Sequence, residues 1–134
     1  MAEITLQTND DRKRLKLSNI SESGGDYSCR VQIVSHGFSC DRPFHFSRSY
    51  LERFYDNLKA IDQSLEGHAE LRHEYEDDLI HVKGDGIGHL EISGTIVEHG
   101  ELSQQLEFAF VTDQTCLRTL IPALGRVLNG KHMA

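Results

Sequence analysis

Apolar and polar positions alternate along most of this chain, and the alternation gives way to helical spacing twice. Ile4 and Leu6 alternate with polar neighbours, as do Leu15 and Leu17 beyond the charged stretch Asp10 to Arg14. Period two sends successive side chains to opposite faces, so the pattern predicts two short strands joined by a polar turn. Gly24-Gly25 reads as a loop rather than a domain joint.

The segment Tyr27 to Phe46 is more specific. His36-Gly37 stands at its centre, and X-Gly suits a two-residue hairpin turn. That turn fixes a register in which Ser35 faces Phe38, Ile33 faces Cys40, Cys29 faces Phe44 and Tyr27 faces Phe46. One face then carries Tyr27, Cys29, Val31, Ile33, Phe38, Cys40, Phe44 and Phe46, and a slip of one residue would divide it. The same register sets Cys29 and Cys40 four positions apart along the ladder, too far to bridge. Pro43 marks an edge strand or a bulge.

Helical spacing takes over from about Arg48 to Ser64, where Leu51, Phe54, Tyr55, Leu58, Ile61 and Leu65 share a face. Two caps compete. Ser47 pairs Phe46 with Leu51 as a hydrophobic staple, and Ser49 with Glu52 makes a capping box. Gly67 lies near the C-terminal stop. Strands resume over Ala69 to Tyr75 and Leu79 to Lys83, on either side of Glu76-Asp77-Asp78. Gly84-Asp85-Gly86 then turns the chain into Gly88 to Val97. Leu90, Ile92, Leu106, Phe108 and Phe110 form one face if the loop near His99-Gly100 has an odd number of residues, three being common. The final helix, about residues 114–129, carries Leu117, Leu120, Ile121, Leu124, Val127 and Leu128, with Thr112 or Asp113 as its cap. Pro122 requires either a kink or a main helical start near Thr119. Gly130 ends the helix, and Lys131 to Ala134 is expected to fray.

The expectation is one α+β domain over residues 1–134, with strands about 3–46, a helix about 48–64, strands about 69–111 and a helix about 114–129. Its antiparallel meandering sheet has two amphipathic helices packed on one face.

Composition narrows the function. The formal charge of -7 disfavours direct binding to nucleic acid and favours a basic partner. No apolar run approaches the length of a membrane helix. Met1 to Lys16 is alternating and charged, unlike a signal peptide. Three cysteines, an odd number without zinc-type spacing, fit a reducing compartment, so a soluble cytoplasmic protein is expected.

Candidate chemistry is sparse. Lys83 to Gly88 resembles a phosphate loop, but it opens onto the alternating Leu90 and Ile92 rather than a helix, so it reads as a turn. Eight histidines are present: His36, His45, His68, His73, His81, His89, His99 and His132. None has zinc-motif spacing; His73, His81 and His89 would cluster only if strand register allowed, and solvent-facing strand positions are the plainer reading. Cys116 stands near a helix start but has no identified base. Asp113-Gln114-Thr115 reads mainly as a cap. No catalytic residue, metal or cofactor is assigned.

The densest charged feature is Glu74, Glu76, Asp77 and Asp78 around Tyr75. Its plain reading is a solvated turn. Its functional reading is a docking surface for lysines and arginines, extended by the outward positions Glu91, Glu98, Glu101 and Glu107.

Two blocks carry a family resemblance. Gly84-Asp85-Gly86-Ile87-Gly88-His89-Leu90-Glu91-Ile92-Ser93-Gly94 is similar to a block of the WapI-like immunity proteins, and so is the stretch Leu106 to Leu117. The similarity spans about residues 68–128 and departs from the family at Cys116 and Pro122. These motifs are turn glycines, strand core positions and a helix entry, so they speak chiefly to fold. The resemblance implies a bacterial antidote to a toxin of the contact-dependent kind, whose C-terminal domain is often a nuclease that cuts transfer RNA. The expected function is therefore non-catalytic binding of a cognate toxin domain, without direct nucleic-acid or membrane contact and compatible with a homodimer. The alternatives are a homo-oligomeric structural or adaptor module, and a small-ligand or metal-binding module.

Overall fold

Two four-stranded antiparallel meanders, linked by a helix and closed by a second, build the structure. The computed structural model describes residues 2–6, 8 and 10–130; the expected frayed tail and His132 lie outside them. The first sheet contains β1 (Ala2–Leu6), β2 (Lys13–Ser23), β3 (Asp26–Ser35) and β4 (Phe38–Ser47), neighbours in chain order. After α1 (Arg48–Ser64), β5 (Glu66–Arg72), β6 (Leu79–Asp85), β7 (His89–Glu98) and β8 (Gln104–Asp113) repeat the arrangement. A 3-10 turn, Gln114–Cys116, leads into α2 (Leu117–Leu128). The α+β class and the antiparallel meander are as expected, but the meander is split. The helix α1 stands between β4 and β5, and these strands do not pair.

The β3–β4 hairpin has the expected register, from Tyr27 opposite Phe46 to Ser35 opposite Phe38. His36 and Gly37 both take positive φ, 51° and 95°, the turn whose twist matches that of the strands. Pro43 sits on an edge strand, in a ladder with no bulge. The hairpin face is buried from Tyr27 to Ile33 and at Phe44 and Phe46, but Phe38 is 67% exposed and Cys40 only half-buried. Near the hairpin tip the alternation continues past the core, which sequence spacing cannot reveal. Cys29, Cys40 and Cys116 are all free.

Ser47 caps α1, its hydroxyl accepting the Tyr50 N–H, which decides between the two serines. The helix stops at Leu65, which adopts φ 69°; Gly67 lies within β5. The β7–β8 ladder closes at Glu98 opposite Gln104, so the loop holds five residues rather than three, still an odd number. Asp113 caps the 3-10 turn by accepting the Thr115 N–H. Pro122 lies inside a helix that already begins at Leu117, so the alternative of a start near Thr119 fails.

Both sheets and both helices share one apolar cluster. Ile4 and Leu17 from the first sheet, Leu71 and Val82 from the second, Phe54 from α1, and Leu120 and Leu124 from α2 converge around one small internal gap. Most of each predicted stripe is buried in this cluster, with Phe38 and Leu65 exposed at its margins.

A candidate protein-binding platform

The β5–β6 loop carries Glu74, Tyr75, Glu76, Asp77 and Asp78, and its shape is set by His73. This ring is 8% exposed and meets Phe44 and His45 edge-on at 5.2 and 5.4 Å. Its Nδ1 accepts the Tyr75 N–H at 3.0 Å and the Glu76 N–H at 3.3 Å. A nitrogen that accepts carries no proton, so the proton of the neutral ring is on Nε2. Burial holds the His73 pKa below its usual 6.5; nearby Asp78 opposes the shift and His45 adds to it. Two backbone bonds complete the loop: His73 N–H to the Asp78 carbonyl, and Glu74 N–H to the His45 carbonyl at 2.7 Å.

Asp78 turns inward. It is 3% exposed, and its Oδ1 accepts the Val97 N–H at 3.0 Å. That bond ties the β5–β6 loop to the end of β7. A second tie is His99 Nε2 to Glu76 at 3.2 Å, and a third, Arg42 to Glu98 at 3.5 Å, adds β4. The two loops therefore form one platform. Glu74, Glu76, Asp77, Glu98 and Glu101 are exposed on it, beside Tyr75 at 73% and Leu102 at 80% exposure. Exposed aromatic and aliphatic side chains bordered by acids have the make-up of a protein interface, where apolar anchors supply energy and charges supply steering.

The structure divides the eight candidate acids. Five share the platform. Asp78 joins its two loops from within and has no surface to offer. Glu107 lies on the outer face of β8, accepting from Gln105 at 2.8 Å. Glu91 stands opposite Lys83 and Val111, seven residues along β7 from Glu98, or about 24 Å. Leu102 had no place in the sequence reading; an isolated leucine among polar loop residues was its only signal. On the same outward face Val97 is part-buried, Ala109 is exposed and Val111 is 51% exposed.

Charge is strongly partitioned. The stretch Glu66–Asp113, the second sheet with its loops, carries twelve carboxylates against Arg72 and Lys83. The rest of the chain is net positive, so the second sheet presents a more concentrated negative field than the total of -7 indicates.

Other candidates resolve into structural roles. His73, His81 and His89 lie apart: His73 is against His45, His81 contacts His68 at 3.0 Å, and His89 bonds Asp85 at 3.0 Å. Among the described residues no group of three or more potential ligands is placed to hold a metal ion. Burial pushes the Cys29 and Cys116 thiols up to about 12, which removes the thiolate a nucleophile needs. The glycine-rich segment is the β6–β7 turn, with the Ile87 and His89 N–H groups donated to Asp85. Gln114 is buried and donates to the Ile61 and Asp62 carbonyls at the end of α1. Among the described residues, no helix is long and apolar enough to cross a membrane.

A family model described as the immunity protein WapI-like family matches residues 6–130, nearly the whole chain and well beyond the two blocks in its second half. The chain belongs to this family. No curated protein matches it.

Proposed function

From membership in an immunity family, we propose that this protein is a non-catalytic antidote that binds a cognate bacterial toxin domain in the cytoplasm and blocks it by occlusion. The observation that carries the reading is the platform, where Glu74, Glu76, Asp77, Glu98 and Glu101 are exposed together with Tyr75 and Leu102 on two loops joined by the His99–Glu76 contact. A nuclease must hold a phosphate backbone, so its cleft is basic. An acidic platform matches such a cleft in sign and accelerates encounter with it, which favours a nuclease as the target. Ties between the loops fix the charges in advance and lower the ordering cost of binding.

The test uses a purified candidate toxin domain, sought among the genes that neighbour this one. Association is followed by stopped flow at low and high salt, for wild type and for the triple variant Glu74→Lys, Glu76→Lys, Asp77→Lys. The expected result is association slowed about tenfold or more at low salt, with a flatter salt dependence. Glu91→Lys, at the far end of the sheet, should change the rate much less. Equal rates for wild type and the triple variant would remove the platform from the interface. Failure of the wild-type protein to bind the domain or protect cells expressing it would remove the antidote reading.

A further inference from the structure

Each sheet has two edges, and the helices attend to one edge of each. α2 packs against β1, and α1 lies along β5, with Tyr50, Arg53 and Asn57 flanking His68, Glu70 and Arg72. The edges of β4 and β8 remain, and they border a common groove of about 330 Å³.

Alternation shows which backbone groups point into this seam. In an antiparallel strand the N–H and C=O of one residue point the same way, and those of the next point the opposite way. On β8, the Ala109 carbonyl accepts from Ser35 Oγ at 3.4 Å and the Val111 carbonyl from Lys13 Nζ at 3.0 Å. Ala109 and Val111 thus face away from β7, and by the same alternation so do Gln105 and Glu107. On β4, Pro43 has no N–H, and the His45 carbonyl is taken by Glu74. Ser39 and Asp41 share their parity and face the seam; the Asp41 carbonyl has only a 3.4 Å contact from Arg30. Among the described residues, Ser39 and Asp41 on β4 and Gln105 and Glu107 on β8 therefore turn backbone groups without a strand partner towards one groove.

The groove has an apolar floor. Cys40, Ile96 and Leu106 line it, and Phe38 continues the same β4 face to the hairpin tip. The rim carries Asp41 and Glu98, each paired with an arginine, Arg30 and Arg42, and Glu107 lies beside it on the outer face of β8, in a second sheet with twelve carboxylates against two cations. The Arg42–Glu98 ion pair also connects it to the platform.

We propose that this seam is a strand-addition site whose occupant is an extended segment of the partner with alternating apolar and basic residues. The identity of that partner rests on the antidote reading. A strand beside β8 directs alternate side chains inward to the floor and outward beside Glu107, so the inward set must be apolar and the outward set basic. A second copy of this chain is disfavoured, because Glu107 of each copy, on two strongly acidic sheets, would approach across the new ladder.

The probe is a capped ten-residue peptide of alternating lysine and valine, added at millimolar concentration to the full chain. Amide hydrogen exchange is read at Gln105 and Glu107. Exchange at both should slow at least tenfold, a glutamate–valine peptide should bind at least tenfold more weakly, and N-methylation of alternate peptide residues should abolish binding. The N-methylated peptide leaves the protein untouched; Glu107→Pro, which removes an outward N–H, gives the reciprocal test. Unchanged exchange at these amides, equal binding by the N-methylated peptide, or a self-dimer that already protects them would overturn the proposal. Loss of this effect while toxin neutralisation persists sinks the seam alone. Strand addition without neutralisation sinks the antidote reading alone.

Discussion

Replacing Asp78 with alanine separates a residue that touches a partner from one that builds the surface touching it. The carboxylate is 3% exposed and accepts the Val97 N–H at 3.0 Å. A hydrogen bond to a charged acceptor contributes about 1.5–3 kcal/mol, and removing Asp78 leaves the part-buried Val97 N–H without its acceptor. A loss of about 2 kcal/mol is therefore expected. At about 2.1 cal/mol/K per residue, the 134-residue chain unfolds with an entropy of about 0.28 kcal/mol/K, so the midpoint should fall about 7 °C. Asp78→Asn keeps an acceptor oxygen and should lose less than half as much. Thermal unfolding followed by circular dichroism measures both, with urea titration checking that the transition stays two-state. Amide exchange should also quicken at Val97 in the alanine variant, since the bond joining the β5–β6 loop to the end of β7 is gone. A midpoint within about 2 °C of wild type, with Val97 still protected, would refute the assignment of Asp78 as the tie and return it to the surface.

Three further outcomes follow from the geometry. Gly94→Ala should unfold the protein or lower its midpoint by more than 10 °C in the same melt, because an added Cβ would lie against the Leu79 carbonyl and 2.9 Å from the Phe108 ring. In a native thiol-labelling assay at pH 8, Cys40 should react first; Cys29 and Cys116 should react only as the protein opens, all three labelling in denaturant. Nuclear magnetic resonance should place the His73 midpoint below 6.5. With the folded pKa below the unfolded one, the unfolded chain binds the extra proton first, so stability falls as pH drops from about 6.5 towards the folded midpoint. The Tyr75 and Glu76 amides should lose protection over the same range; a midpoint at or above 6.5 would contradict the acceptor role of Nδ1.

Local pattern settled much of this protein. The β3–β4 register needed only a turn and the alternation beside it, because a slip of one residue would turn every apolar side chain outward. The bounds of α1 were legible because its apolar stripe lies within about twenty residues, although two serines competed for the cap and the stop fell at Leu65 rather than Gly67. Family resemblance too was carried by short blocks, at turns and core positions. What local pattern could not supply was distance. Asp78 resembles its acidic neighbours in sequence, and only Val97, nineteen positions on, makes it internal. Phe38 obeys the alternation of its strand, yet lies 67% exposed at the hairpin tip. The acids separated into platform, outer face and far end only when two loops met, and the seam exists only because the meander divided into two sheets. Periodicity specifies which side of an element is buried. Which elements face one another, and where their edges stay open, is decided by long-range packing.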